Sequence, residues 1–291
     1  HLSDLPRDYV CITDKTTFQA WLQKIEQASL TCIDTETTSL DAMQAELVGI
    51  SLSVKVGEAC YIPVAHRTGE DQLERAWVLA QLKPWLENPQ AKKVGQNLKY
   101  DIHVLENYQI AMQGVTHDTL LESYVLESHL SHGMDSLAER HLGIKTIRYE
   151  DICGKGVHQI GFDQVDLKTA ADYAAEDADI TLRLHEYLWP QLEQEPGLRY
   201  VYEHIEMPAM RVLGIMERNG ITIDSAKLAN QGQEVAKKLL ALEKEIEIST
   251  AKKIKISGNF ILPELEKSSA FPLVIMVSGS GAQDRNCEIL G

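Results

Sequence analysis

The stretch LTCIDTETTSL, residues 30–40, passes from apolar to acidic within a few positions. Its first half is apolar and bounded by polar residues, which predicts a short buried strand. Because side chains two apart on a strand share a face, Asp34 and Glu36 point the same way at its end. The repulsion between two such carboxylates is relieved by a hard divalent cation such as Mg²⁺. The alternative is an acidic turn whose Thr and Ser residues supply turn hydrogen bonds, and this stretch alone favours that alternative.

The composition of the 291-residue chain is that of a globular protein, with 44% apolar and 24% charged residues. This length predicts one large or two modest domains. We expect a fragment, because the chain lacks an initiator Met, and we find no signal peptide and no apolar run long enough to span a bilayer.

Cysteine usage and net charge narrow the class of protein further. The five cysteines are scattered without a C-x-x-C pair, which predicts a cytoplasmic location and argues against a disulfide frame or a zinc site. The formal net charge of -15 argues against a protein that coats nucleic acid by general attraction. This charge is compatible with a protein that binds the end of a nucleic-acid strand through a bound metal ion.

Along the chain, most predicted strands come first and most predicted helices follow, and this order predicts an α/β fold with a mixed sheet flanked by helices. A charged helix ending near residue 248 is followed by a short β-rich tail. The predicted strands are 9–12, 30–36, 46–54, 59–64, 92–94 and, in the tail, 253–262 and 271–278. The predicted helices include 72–86, 119–126, 135–141, 166–188 and 198–218.

A second acidic stretch is VGQNLKYD, residues 94–101. A helix is predicted to begin near Leu98, so Asp101 lies in its first turn. A carboxylate there is favoured by the helix dipole alone, and this structural interpretation is the preferred one for Asp101 taken by itself.

A third acidic stretch is YAAEDAD, residues 173–179. Tyr173 and Asp177 are four residues apart, so both lie on one face of a helix, and the alanines between them let another backbone approach. We interpret Glu176 and Asp179 as part of an ordinary solvated helix face.

Taken together, these stretches resemble the D-E-D-D exonuclease superfamily in its tyrosine-bearing branch, which has a ribonuclease-H-like fold. Over residues 1–248 the chain is similar to the 3′–5′ proofreading exonuclease domain of bacterial polymerases of the DNA polymerase I type, in family A. The stretches that carry the resemblance are DTET (34–37), VGQNLKYD (94–101), HDTLLESY (117–124), MDSLAER (134–140) and YAAED (173–177). Several long motifs in the right order are highly specific.

The resemblance implies an enzyme that removes nucleoside monophosphates from DNA 3′ ends, on single strands or frayed ends, with two divalent metal ions. Mg²⁺ is the expected metal, with Mn²⁺ or Zn²⁺ as alternatives. By position, the catalytic residues are Asp34, Glu36, Asp101, Tyr173 and Asp177. Asp34, Glu36 and Asp177 would hold one metal, and Asp34 with Asp101 the other. Tyr173, helped by Glu36, would orient the attacking water.

The resemblance also implies substrate-binding residues. Leu40 and Tyr149 would wedge against the terminal bases, where stacking tolerates any base. Gln96, Asn97 and Tyr100 would line the cleft that receives the strand end.

The loop HLSHG, residues 129–133, departs from the family pattern, because relatives can carry an Arg there and this loop is shorter. We therefore expect a weaker phosphate contact. His129 and His132 have a spacing that suits a metal site, but solvated loop histidines are the preferred interpretation.

The predicted domains are an exonuclease domain at 1–195, a truncated helical start of a polymerase domain at 196–248, and a foreign fragment at 249–291. That fragment resembles an α/β-hydrolase but lacks the G-x-S-x-G nucleophile elbow, and it is not expected to be an independent domain. No polymerase activity is expected. Two other functions remain open: a catalytically silent module that binds nucleic acid or a protein partner, and a hydrolase in which the tail is active.

Overall fold

The computed structural model describes residues 7–251 of the chain, with side chains up to residue 244. The chain divides into two compact units, His1–Ile221 and Thr222–Gly291. The described part of the second unit contains one long helix, Ser225–Ala251. The tail strands predicted at 253–262 and 271–278 lie outside the described residues. Between residues 7 and 251 we find no helix with the length and hydrophobicity of a transmembrane segment.

The described part of the first unit is built from strands that are mostly early in the chain and helices that are mostly late. The strands are β1 Asp8–Cys11, β2 Thr31–Thr37, β3 Leu47–Lys55, β4 Glu58–Pro63, β5 Lys93–Gly95 and β6 Val115–Asp118. The helices are α1 Lys15–Gln27, α2 Arg75–Leu86, α3 Leu98–Glu106, α4 Thr119–Glu127, α5 Met134–Leu137, α6 Tyr149–Cys153, α7 Leu167–Gln194, α8 Pro196–Val201 and α9 Met207–Asn219. Two π-helical segments continue α5 and α8, Ala138–Leu142 and Tyr202–Glu206, and two 3₁₀ turns precede α7, Gly156–His158 and Phe162–Gln164.

The strands form one mixed sheet in the order β1-β4-β3-β2-β5-β6. β3 is antiparallel to β2 and β4, while the β1–β4, β2–β5 and β5–β6 pairs are parallel. The long helix α7 packs across the sheet from β1 to β5. This arrangement confirms the predicted mixed sheet flanked by helices, and it places β2, with its acidic residues, in the sheet interior.

Helix α1 shows how directly local sequence determines an element. The Asp14 carboxylate accepts hydrogen bonds from Thr16 N and Thr17 N at 2.9 and 3.0 Å, which satisfies donors that the first turn leaves free. Phe18 and Trp21 are buried at helical spacing, so one face of α1 packs into the hydrophobic core that also contains Ile33 and Ile50 of the sheet.

Gly49 on β3 permits close packing beside the acidic strand. It pairs with Glu36 of β2 in the antiparallel register. A Cβ added at Gly49 would lie 2.1 Å from the Tyr61 hydroxyl oxygen and 2.3 Å from the ring. The Tyr61 hydroxyl bonds His66 Nε2 at 2.8 Å, so the ring is held in place. Only glycine fits at this position without a shift of its neighbours.

Glu176 and Asp179 of α7 are buried, so the interpretation of these two residues as solvated is wrong. Glu176 is 1% exposed and Asp179 is 0% exposed. The Glu176 carboxylate pairs with Arg7 and accepts a hydrogen bond from Ile147 N at 2.7 Å. Buried charges are tolerated when they are paired in this way.

Asp179 connects α7 to the edge of the sheet through hydrogen bonds. Its carboxylate accepts hydrogen bonds from the Tyr9 hydroxyl and from Gly57 N, each at 2.7 Å. Arg183, one turn further along α7, donates to the same carboxylate from Nη2 at 2.8 Å. Tyr9 and Gly57 belong to distant parts of the chain, so the local sequence gives no sign of them, whereas Arg183 lies at the i,i+4 spacing of a helical ion pair.

Candidate active site

The acids that the sequence marks as a site come together from three elements. Asp34 and Glu36 lie on β2, Asp101 lies in the first turn of α3, and Asp177 lies on α7. Ligand oxygens of Asp34, Glu36 and Asp177 all lie within 4.8 Å of one another. The fold therefore gathers residues 143 positions apart into one group of carboxylates.

Asp101 is held against β2 by the residue between the two strand acids. Its Oδ1 accepts hydrogen bonds from Thr35 N at 2.9 Å and from Thr35 Oγ1 at 2.6 Å. The start of α3 is fixed in turn by Asp118 at the end of β6, which accepts from Asn97 N at 3.1 Å and from Leu98 N at 2.8 Å. Sequence reasoning missed both supporting residues, because each acts through tertiary contacts.

Burial and mutual repulsion dominate the electrostatics of the four acids. Burial raises the pKa of Asp34 to about 6. Burial first, and the charge of Asp34 next, hold the pKa values of Glu36, Asp101 and Asp177 well above the ordinary range. Asp177 Oδ1 is a buried oxygen without a hydrogen-bond partner among the described residues. A set of crowded carboxylate oxygens, one of them unpartnered, fits a hard divalent cation.

Tyr173 lies one helical turn before Asp177 on α7. Burial raises its pKa, and the charges of Asp177, Glu36 and Asp34 raise it further, because they disfavour a phenolate. The hydroxyl therefore stays protonated at neutral pH. It can donate a hydrogen bond beside the carboxylates.

An open cleft of about 620 Å³ reaches Asp34, Glu36, Tyr173 and Asp177, whereas Asp101 is buried and is not among its lining residues. Predicted site residues that line it are Asp34, Glu36, Leu40, Tyr100, Tyr149, Tyr173 and Asp177. Gln159, Ile160 and Gly161, just before the second 3₁₀ turn, also line the cleft. Sequence reasoning missed these three, because only the tertiary fold brings that loop to the cleft.

Two of the residues predicted to contact bases have exposed surface at the cleft. The Leu40 side chain is 98% exposed, which is unusual for a large apolar residue. Tyr149 at the start of α6 is 39% exposed. Its ring is stacked with that of Phe162, with centroids 6.4 Å apart, and stands edge-on to Tyr173 at 6.5 Å. Both residues present apolar surface that a base could contact.

The other predicted substrate residues differ in position. Tyr100 lines the cleft, whereas Gln96 and Asn97 are not among its lining residues. Gln96 Nε2 donates to the carbonyl oxygen of His132 at 2.8 Å, and Asn97 begins α3 with a left-handed φ of 60°. Their roles in substrate binding stay predictions. Within residues 7–251, neither His129 nor His132 belongs to a cluster that could hold a metal.

A mixed sheet that carries paired carboxylates on an interior strand, completed by a Tyr and an Asp from a later helix, is the arrangement of a ribonuclease-H-like nuclease. Comparisons with known proteins agree. Residues 9–193 match the family model described as 3′–5′ exonuclease. The chain therefore belongs to the family of 3′–5′ exonuclease domains found in family A DNA polymerases, and it is a 3′–5′ exonuclease domain.

Relatives in sequence and in structure are consistent with this family. The chain is 52% identical over 243 residues to DNA polymerase I of Pseudomonas aeruginosa, across 82% of this chain and 27% of that protein. The chain spans about a quarter of the length of the curated relatives it matches.

Solved structures confirm the ribonuclease-H-like fold. The POL domain of Pol1 from M. smegmatis, in complex with DNA primer-template and dNTP, has a TM-score of 0.66 at 21% identity, covering 84% of this chain and 38% of that one. Brucella melitensis NrnC with bound Mg²⁺ has a TM-score of 0.51 at 18% identity, covering 76% of this chain and 99% of that one.

Proposed function

We propose that this chain removes nucleoside monophosphates from DNA 3′ ends, as a proofreading exonuclease does, by hydrolysis that depends on two divalent metal ions. The observation that carries the proposal is the convergence of Asp34, Glu36 and Asp177, with Asp177 Oδ1 buried and unpartnered within the described residues. The name of the relatives, DNA polymerase I, supports DNA as the substrate.

The four acids are assigned as the metal ligands. Asp34, Glu36 and Asp177 would hold one cation, and Asp34 with Asp101 the other. Two bound cations would supply charge neutralisation at the scissile phosphate and ease deprotonation of the attacking water. The contribution of Thr35 is to fix Asp101 through two hydrogen bonds, so this ligand is placed before any cation arrives.

Tyr173 is assigned to orient the attacking water. Its raised pKa keeps the phenol protonated, so the hydroxyl can hold a water by one hydrogen bond without losing its own proton. Glu36 would accept a hydrogen bond from the same water. The hydroxyl is therefore a positioning donor, and the carboxylates carry the charge.

The cleft supports the expectation that unpaired ends are preferred. Leu40 and Tyr149 would separate and stack the last bases, and this requires that those bases be free of their partners. Melting a paired end costs free energy before the bases can enter, so paired ends should react more slowly.

The test is a nuclease assay with the 291-residue chain on 5′-labelled oligonucleotides. We expect stepwise loss of 3′ nucleotides as monophosphates, dependence on Mg²⁺ or Mn²⁺, and faster cleavage of single strands and mispaired ends than of blunt duplex. Asp34→Ala should abolish cleavage, because Asp34 is assigned to both cations. Asp172→Ala, at an exposed position of α7, is the matched control and should retain the rate. Equal rates on duplex and single strand, or activity in Asp34→Ala, would contradict the proposal.

We keep the predicted layout as a proposal, with the exonuclease domain at 1–195, the start of a polymerase domain at 196–248 and an added fragment at 249–291. Ending the chain at residue 248 should therefore retain exonuclease activity.

A cytoplasmic location is also proposed. It is supported by Cys11, Cys32, Cys60 and Cys153, which are free thiols among the described residues.

A further inference from the structure

A second cluster of potential metal ligands lies outside the acidic cleft. His117 ends β6 with Asp118, Glu122 lies on α4, and His185 lies on α7. The Nδ1 atoms of the two histidines approach the same carboxylate oxygen, Glu122 Oε1, at 3.2 Å from His117 and 2.8 Å from His185. All three ligand atoms lie within 4.8 Å of one another, and none belongs to the nuclease site.

We propose that His117, Glu122 and His185 form a second metal site, for a divalent transition-metal ion of the Zn²⁺ class. Two imidazole nitrogens and one carboxylate are a common zinc donor set, with a fourth position left for water. Ligand atoms at about 2.0–2.2 Å from a tetrahedral ion lie about 3.3–3.6 Å apart, so small side-chain shifts suffice here. Imidazole ligands favour such an ion over the Mg²⁺ expected between the carboxylates of the cleft.

Unpartnered atoms give an independent reason for a ligand at this position. Glu122 is 0% exposed, and its Oε2 has no hydrogen-bond partner among the described residues. The same holds for His117 Nδ1, whose 3.2 Å approach to Oε1 lacks hydrogen-bond geometry. Buried polar atoms are almost always satisfied in folded proteins, so two unsatisfied atoms in one cluster call for a partner such as a cation.

Aromatic rings pack against His117 beside the proposed site. The Trp189 ring lies 4.4 Å from the His117 ring, centroid to centroid, and the Tyr202 ring lies 6.4 Å from it. The His117 side chain is 17% exposed, which provides a route of entry.

A cation at this site would join β6, α4 and α7. Since α7 also carries Tyr173 and Asp177, such a cation would stiffen the helix that completes the nuclease site. The expected role is structural, so the test uses metal binding and does not depend on nuclease activity.

The experiment separates the two sites by disabling the acidic one. The 291-residue chain carrying Asp34→Asn and Asp177→Asn is dialysed against EDTA and titrated with Co²⁺, a spectroscopic substitute for Zn²⁺. We expect one ion per chain with the strong visible absorption of a tetrahedral nitrogen-containing site. Octahedral Co²⁺ with oxygen ligands absorbs weakly, so a weak spectrum or no binding would overturn the proposal.

Substitutions within the cluster then test the ligands. In that background, Glu122→Gln and His185→Gln should each weaken Co²⁺ binding at least about 100-fold, since even outer-shell changes cost 10–100-fold. The matched control is His141→Gln, because the His141 side chain is also 8% exposed and contacts one carboxylate, that of Glu127 at 3.1 Å. The assignment would be refuted if Glu122→Gln and His185→Gln bound Co²⁺ as tightly as the parent chain, or if only His141→Gln lost Co²⁺ binding.

A melting experiment tests the proposal with the cluster intact, so its result does not depend on whether the cluster variants fold. In the background with the acidic site disabled and the cluster intact, Zn²⁺ should raise the melting temperature, because an ion that binds only the folded state stabilises it. An unchanged melting temperature at saturating Zn²⁺ would overturn the proposal.

Discussion

Replacing Asp34 by asparagine should stabilise the metal-free protein while it abolishes nuclease activity. Burial raises the pKa of Asp34 from its ordinary value of 3.8 to about 6. The folded state therefore holds a proton that the unfolded state has already released between these two pH values. Because the folded state binds more protons there, its free energy of unfolding falls as the pH rises from about 4 to about 6.

The size of the effect follows from the shift in the Asp34 pKa. A rise of about two pKa units corresponds to about 3 kcal/mol of folding stability, fully present below pH 4 and lost above pH 6. Glu36, Asp101 and Asp177 have raised pKa values too, so the loss should continue above pH 6. An amide at residue 34 carries no charge at any of these pH values. For a unit of this size, about 3 kcal/mol corresponds to a rise of roughly 6–12 °C in melting temperature.

The assay is thermal unfolding in EDTA at pH 5 and pH 7. Wild type should lose stability between the two pH values, and Asp34→Asn should lose less and melt at a higher temperature at pH 7. Mg²⁺ should raise the melting temperature of wild type more than that of Asp34→Asn, because the variant lacks a shared ligand. Asp172→Asn, whose carboxylate is exposed and paired with Lys168, should behave as wild type does. A melting temperature of Asp34→Asn at or below that of wild type at pH 7 would refute the reasoning.

Other substitutions test the remaining roles. Tyr173→Phe should lower kcat about 10²-fold while the affinity for Mn²⁺ stays nearly unchanged, whereas Asp177→Asn should lower both kcat and the Mn²⁺ affinity. A wild-type kcat in Tyr173→Phe would indicate that Tyr173 has a packing role alone. Tyr149→Ala should raise KM for single strands, because stacking on a base contributes about 1–3 kcal/mol, and an unchanged KM would argue against that contact. Gly49→Ala should destabilise the fold by about 1–3 kcal/mol in urea unfolding, because the new methyl group meets Tyr61, and an unchanged midpoint would contradict this packing.

The sequence predicted elements best where hydrophobic spacing extended over many residues. The strands β3 and β4, predicted at 46–54 and 59–64, and the helix α2, predicted at 72–86, are confirmed for that reason. β6 was missed, because four residues with two half-buried polar positions carry too short a pattern. The helix predicted at 166–188 is confirmed as α7, which continues beyond the predicted end to Gln194 with Pro190 inside it.

The candidate site could be predicted only as far as single elements and the family resemblance reach. Periodicity within a strand or helix shows that Asp34 faces the same way as Glu36, and the resemblance adds Asp101. The contact of Thr35 with Asp101 spans 66 positions of sequence, and no local pattern encodes it. No local pattern predicts that the Asp118 carboxylate accepts a hydrogen bond from Leu98 N at the start of α3.

The acids of α7 show what sequence lacks and structure supplies. Asp177 and Asp179 are both buried aspartates two positions apart, and their residue type distinguishes nothing. The Asp179 carboxylate has an arginine, Arg183, and a backbone N–H, that of Gly57, as partners, so its charge is compensated within the protein. Asp177 has a buried oxygen without a partner among the described residues, and its pKa is raised by burial and by Asp34. A compensated acid stabilises the fold, whereas an uncompensated one is neutral by protonation until a cation binds. This difference in partners is the physical reason to propose Asp177 as an active-site residue and Asp179 as part of the framework.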